Sequence, residues 1–171
     1  MIGRKPGLSV LILLMLAGIQ CATRSATEPP RDILGIGIGM TRADVQKRLE
    51  EIAFFERSER KNQQVWRLKD DPHYSHLAVG YDANNQIRYI TAFADKAKTQ
   101  IPFSDIGNLS KAKKEIIEQH HTYVWEVPAT GASPAYFVNV YGDNPKFLTT
   151  CSLSKKSTPN KSEAEEEEEE D

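Results

Sequence analysis

The stretch SHLAVGYDANNQIRYITAF, residues 75–93, carries the clearest structural signal in the chain. Its first part alternates, which places Leu77, Val79 and Tyr81 on one face of an extended strand. The DANN cluster that follows is typical of a turn, because Asn and Asp tolerate left-handed backbone angles. The run after the turn alternates again, and one face then carries Ile87, Tyr89, Thr91 and Phe93. The stretch therefore predicts an antiparallel hairpin.

The same order of features occurs a second time. Trp66 lies about 15 residues before Tyr81, and Trp125 lies about as far before Tyr141. Each tryptophan follows a valine, and each tyrosine precedes a turn rich in Asp and Asn. This repetition predicts a duplicated structural unit.

A short amphipathic helix is predicted in front of the strands of each unit. Thr41 and Asp44 have the spacing of a capping box, in which the hydroxyl accepts from the amide three residues on. The apolar stripe of the first helix consists of Val45, Leu49, Ile52 and Ala53. In the second unit Ser110 is the candidate N-cap, and the stripe consists of Ala112, Ile116, Ile117 and His120.

These patterns predict an α+β fold made of two αβββ units, residues 32–99 and 100–153. We expect an antiparallel sheet with the helices packed on one face, because neither unit buries enough apolar surface alone. The GIGIG run at residues 35–39 lacks a following Lys-Ser/Thr pair, so it predicts an approach turn and not a nucleotide site.

The N-terminus is typical of an export signal. Arg4 and Lys5 precede an uncharged apolar run at residues 8–19. As a helix this run would measure about 18 Å, too short for a hydrocarbon core of about 30 Å. Cys21 follows directly, a placement that resembles a bacterial lipoprotein signal. Residues 1–21 are therefore predicted to be a signal peptide with a lipidation cysteine, and soluble secretion or an uncleaved anchor are the alternatives.

Two polar segments bracket the folded region. Residues 22–31 predict a flexible tether, and residues 154–171 predict a disordered tail that ends in EAEEEEEED. The chain of 171 residues has a formal net charge of −2, and between these segments its acids and bases nearly balance. That balance excludes the basic footprint of a nucleic-acid-binding protein.

Four motifs of the first unit carry a family resemblance. They are IGMTRADV at residues 38–45, Trp66, GYD at 80–82 and NQI at 85–87. Together they resemble the SmpA/OmlA (BamE-like) family of small outer-membrane lipoproteins of the β-barrel assembly machine. They are also similar to the wider group with the fold of β-lactamase-inhibitor protein. The resemblance implies helices on one face of an antiparallel sheet and a binding protein without catalytic residues.

The partner-binding residues predicted from the sequence are Trp66, Arg67, Lys69, Arg88 and Trp125. Aromatic side chains that face out of a sheet supply large contact areas at low entropic cost. The alternative is that the aromatic residues pack the core, and this alternative is favoured for most of them.

Catalytic and metal chemistry receive little support from the sequence. His73 and His76 follow two aspartates, and His120-His121 lie elsewhere, so a zinc site is conceivable. Positions three apart in a strand point to opposite faces, which argues against it. Cys151 lies between strand residues and is expected to pack. We expect no enzyme activity, no metal and no cofactor.

The function expected from these features is protein binding in the cell envelope. The expected location is the outer membrane, facing the periplasm through a lipid anchor, with a periplasmic or secreted protein as the alternative. The partner would be another envelope protein, contacted by the open sheet face or by loops 70–73 and 129–133. A secreted enzyme inhibitor and, more remotely, a metal-dependent hydrolase are the alternative functions.

Overall fold

A computed structural model describes residues 28–60, 62–131 and 133–156. The described chain forms one eight-stranded antiparallel sheet in the order β1-β2-β3-β4-β8-β7-β6-β5. One α-helix and two short 3-10 helices complete the secondary structure of these residues. The elements are α1 (Arg42–Ile52), β1 (Ala53–Arg60), β2 (Gln63–Leu68), β3 (Tyr74–Tyr81), β4 (Ile87–Ala94), the 3-10 helices Phe103–Asp105 and Leu109–Lys111, β5 (Lys113–Ile117), β6 (His120–Val127), β7 (Tyr136–Gly142) and β8 (Thr150–Lys155).

The predicted α+β fold of two αβββ units is wrong. The protein is mainly β, because each half contributes four strands and only the first half has an α-helix in the described residues. The stripe that predicted a second helix contains Ile116 and Ile117, which lie at the end of β5. Adjacent β-branched residues favour an extended strand over a helix.

The two strands missed from the sequence are the edges of the sheet. All five residues of β5 are exposed, and every residue of β1 after Ala53 is exposed. An edge strand next to solvent needs no apolar alternation, so its sequence looks like a polar loop.

The predicted hairpin is present as β3 and β4, joined at Asp82. Its register shifts between Gly80 and Tyr81, which pair with Tyr89 and Ile87. This shift places Ile87 on the face opposite to Tyr89, Thr91 and Phe93. Ile87, Ile90 and Ala92 lie in the core, so the predicted grouping of Ile87 with Tyr89, Thr91 and Phe93 is wrong.

The helix α1 begins with the expected cap. The Thr41 side chain accepts from the Asp44 amide at 3.3 Å and donates to the Asp44 carboxylate at 2.6 Å. Val45 and Leu49 are fully buried, so the helix packs by a narrow stripe. It ends at Ile52, and the chain continues directly into β1.

One face of the sheet is covered, and the core lies there. The cover consists of residues 33–52, including α1, and residues 101–112 with the two 3-10 helices. Below them the buried strand residues alternate along β7 and β8, as Val138, Val140, Cys151 and Leu153. Residues 1–27 lie outside the described part of the chain, and no described helix is long and apolar enough to span a membrane.

The two halves of the sheet meet where β4 pairs with β8. Two ion pairs join the halves at opposite ends of this contact. Lys96, after β4, lies 2.8 Å from Asp143, which follows β7. Lys155, at the end of β8, lies 3.1 Å from Asp82, which follows β3. Each lysine thus binds the turn of the other half.

Candidate binding surface

The opposite face of the sheet, here called the open face, is defined by the residues that alternate with the core. On β8 these residues are Thr150, Ser152 and Ser154, all half-buried and all small. None of the helices described in the structure contributes to the core from this side. The open face is therefore left uncovered by the described helices.

A trough runs along β8 on the open face. In the outer rows, Thr150 lies between Phe93 and Tyr141, and Ser154 lies between Tyr89 and Phe137. In the middle row, Ser152 lies between Thr91 and Asn139. Small hydroxyl residues thus form the floor, and β4 and β7 each supply one wall with two aromatic side chains. We call these nine residues the aromatic trough.

The Tyr89 wall leans away from the floor. Gly80 pairs with Tyr89 across β3 and β4, and a Cβ on Gly80 would lie 2.1 Å from the Tyr89 ring. The ring therefore covers the glycine on the side away from β8. An aromatic ring that lies over a cross-strand glycine is held in place and leaves its other side open.

One end of the trough is basic. A groove of about 560 Å³ is lined there by Arg88, Tyr89, Thr91, Phe137, Ser152, Ser154, Lys155 and Lys156. Lys155 is paired with Asp82, and Lys156 is paired with Glu126. No ion pair of Arg88 occurs among the described residues, and its side chain is exposed. Arg88 is thus the charge at this end most available to an acidic group.

Arg67 and Lys69 lie near the same ring, with the Lys69 ammonium 5.2 Å from the ring centre of Phe54, whereas Arg88 lies elsewhere. Arg67 is exposed on the open face, with its guanidinium 5.3 Å from the ring centre of Phe54. Lys69 donates to the carbonyls of Glu50 and Glu51 at 2.6 and 3.0 Å, so it caps the C-terminus of α1. Only Arg88 lies at the trough.

Trp66 and Trp125 lie in the core, on the covered side. Their exposed fractions are 2% and 3%. The Trp125 indole donates to the Asn108 carbonyl at 3.0 Å, which ties β6 to the second 3-10 helix. The structure therefore does not bring the two tryptophans together with Arg67 and Arg88 on one surface. Cys21 lies outside the described residues.

A polar network closes the other end of the trough. The Tyr141 hydroxyl and His120 Nδ1 share a short hydrogen bond, and the Asp143 carboxylate lies 3.5 Å from the same nitrogen. Asp143 also accepts from Lys96 at 2.8 Å and from Thr149 at 3.3 Å. This network fixes the Tyr141 wall against the turn after β7.

The contacts of Asp143 in this network predict how its carboxyl group titrates in acid. The hydrogen bond from Lys96, followed by that from Tyr141, lowers the pKa of Asp143 from 3.8 to about 2. Because the folded-state pKa is the lower one, the stabilisation is present above about pH 4 and is lost as the pH falls through about 2. In an NMR titration, Lys96→Met should raise this pKa toward 3.8. The control Lys98→Met should leave it at about 2, and an unchanged pKa in Lys96→Met would contradict the assignment.

The described residues hold no group of three or more His, Cys, Asp or Glu placed to bind a metal ion. The Nε2 atom of His76 lies 3.5 Å from Glu56, and the nearest polar contact of its Nδ1 atom is Ser75. Burial raises the pKa of the Cys151 thiol to about 12, so this cysteine stays protonated and unreactive.

The trough itself was not predicted. Its floor and the β7 wall come from residues 137–154, where buried and half-buried residues alternate strictly. Because Val138, Val140, Cys151 and Leu153 mark the core face, the residues between them could have been assigned to the open face from the sequence. On β4, Tyr89, Thr91 and Phe93 were correctly grouped on one face, and only the register shift at Gly80, which moves Ile87 to the other face, is not visible in the sequence.

Comparison with protein-family models, with curated proteins and with solved structures found no match for this chain.

Proposed function

We propose that this chain is an exported, lipid-anchored bacterial envelope protein whose folded region is a non-catalytic protein-binding module. The proposed location is the periplasmic side of the outer membrane, with Cys21 as the anchor. We further propose a role in assembly or maintenance of that membrane, as in the SmpA/OmlA family that the sequence resembles.

The observation that carries the binding proposal is the aromatic trough. Its floor is polar but small, and its walls are Tyr89, Phe93, Phe137 and Tyr141. Aromatic residues beside small ones are typical of binding surfaces, because the rings supply contact area and the small residues allow close approach. A serine nucleophile needs an adjacent base, and the hydroxyls of Ser152 and Ser154 hydrogen-bond instead with Asn139.

The shape of the trough favours an extended segment of a partner protein. The floor follows a single strand, so a bound segment would lie along β8 with alternate side chains against the two aromatic walls. Arg88 at one end favours a segment that carries an acidic residue there. The binding step requires no change in the covalent structure of either protein.

A crosslinking experiment tests this function. A photoreactive phenylalanine analogue in place of Ser152 should crosslink to one envelope protein in intact cells, because Ser152 lies at the centre of the trough. The same analogue in place of Ser104, exposed on the covered side, is the matched control and should not. Adding Thr91→Arg, which fills the trough, should abolish the Ser152 product.

The anchor is tested in the same cells by membrane fractionation. Cys21→Ser should move the chain from the membrane fraction to the soluble fraction, and equal distributions of the two forms would remove the lipoprotein proposal. Equal crosslinking from Ser104 and Ser152, or a Ser152 product that survives Thr91→Arg, would remove the trough proposal whatever the fractionation shows.

A further inference from the structure

We propose that the β5 edge of the sheet binds the β5 edge of a second copy of this chain. The two strands would pair antiparallel about a two-fold axis perpendicular to the sheet, and the two sheets would become one. This inference does not rest on the proposed function, because it uses a different part of the surface.

The β5 edge presents apolar side chains to solvent. Ile116 and Ile117 are 51% and 60% exposed, and the other residues of β5 are exposed as well. β5 pairs with β6 through all five of its residues without a register shift. On its other side no strand lies within the described residues. A regular edge with apolar side chains is a template for an added strand.

The opposite edge is protected in the way that edge strands usually are. β1 has register irregularities between Phe55 and Arg57 and between Ser58 and Arg60. Bulges of this kind interrupt the row of backbone groups that an added strand would pair with. The two edges of the sheet therefore differ, and β5 is the one suited to pairing.

The charges of β5 select the register of a two-fold pair. A register centred on Lys114 or on Glu115 would place like charges opposite each other on the axis, which is unfavourable. The register centred on Ile116 places two isoleucines on the axis. It also brings Lys114 next to Glu118 of the second copy, the turn residue just beyond the paired strand, once on each side of the axis.

The charges of β5 also favour a second copy of this chain, and not an unrelated strand, as the partner of the β5 edge. Lysines on an edge strand discourage pairing with an unrelated apolar strand. The Lys114 ammonium lies 5.6 Å from the ring centre of Tyr123, on the covered side of the sheet. Ile116 and Lys114 share this side, because positions two apart in a strand point the same way. Glu118, exposed in the turn after β5, supplies the acid that a second copy places opposite Lys114.

The pairing would have a consequence for the open face. Rotation about an axis perpendicular to the sheet keeps the open faces of both copies on the same side. The two aromatic troughs would then lie on one continuous sheet, and a partner with two suitable segments could engage both.

Charge reversal tests the pairing. The protein as isolated from the cell, kept in mild detergent, is followed by analytical ultracentrifugation over a range of concentrations. We expect a dimer. Lys114→Glu alone and Glu118→Lys alone should each weaken it by about tenfold or more, because two attractive pairs become repulsive. An equimolar mixture of the two variants should recover the wild-type affinity as a heterodimer.

Two controls keep the result interpretable. Lys111→Glu makes the same charge change just outside β5 and should leave the dimer unchanged. The thermal transition of each variant, followed by circular dichroism, should match that of the wild type. A chain that is monomeric at all concentrations would overturn the proposal. So would assemblies larger than a dimer, a dimer indifferent to both reversals, or folded variants whose mixture does not recover.

Discussion

Replacing Trp125 with alanine should lower the free energy of unfolding by about 3–5 kcal/mol. The side chain is 3% exposed, and Gly107 packs so closely against it that a Cβ there would lie 3.2 Å from the indole. Removing the ring leaves a cavity under the second 3-10 helix, and it leaves the Asn108 carbonyl without the donor at 3.0 Å. Urea denaturation followed by tyrosine and Trp66 fluorescence measures the change.

This variant also separates packing from partner contact. Ser104→Ala is the control, because Ser104 is exposed and lies outside β5, so its loss should change the stability by less than about 0.5 kcal/mol. At a temperature where Trp125→Ala is still folded, crosslinking from Ser152 should persist. Unchanged stability together with loss of crosslinking would assign Trp125 to the partner surface and contradict its place in the core.

Local signals were predictable from the sequence wherever short-range chemistry dominates. The Thr41 cap and the turn at Asp82 depend on hydrogen bonds within four residues, and both are present. The β3–β4 hairpin followed from alternation on the two sides of that turn. These elements do not need the rest of the chain in order to be recognised.

The fold class was not predictable in the same way. The apolar residues around Ile116 have helical spacing, but the same residues form an edge strand because β6 is available to pair with them. Whether a short apolar stripe becomes a helix or a strand depends on tertiary partners, which outweigh local propensity. β1 was missed for a related reason, since Phe54 and Phe55 are adjacent and polar residues follow them, so this edge strand has no apolar alternation.

The binding surface was the hardest part to predict, because it joins residues that are distant in sequence. Thr91 and Ser152 are neighbours only because β4 pairs with β8. That pairing brings the last strand of the first half next to the last described strand, and no local pattern encodes it. Arg88 could be assigned to the surface from the sequence. Trp66 and Trp125 were predicted to bind a partner because large aromatic side chains suit binding surfaces, but both lie in the core.

Replacing Gly142 with alanine should lower the free energy of unfolding by about 1–3 kcal/mol, because the site has no room for a methyl group. A Cβ there would lie 2.2 Å from the Phe147 carbonyl oxygen and 2.7 Å from the Phe103 ring. The backbone contact cannot be relieved by a side-chain rotation, so the chain on one side must move. Gly131→Ala is the matched control, since a Cβ at Gly131 meets nothing within 4 Å.

The Gly142→Ala substitution should also disturb the aromatic trough, because the residues on both sides of Gly142 shape it. Gly142 lies between Tyr141, a wall of the trough, and Asp143, which Lys96 holds at 2.8 Å. A displaced β7 end should therefore weaken the Lys96 contact, raise the pKa of Asp143 above about 2 and reduce crosslinking from Ser152. If Gly142→Ala lowered stability and left both readouts at their wild-type values, the strain would be absorbed on the Phe103 side, and the turn after β7 would not control the trough.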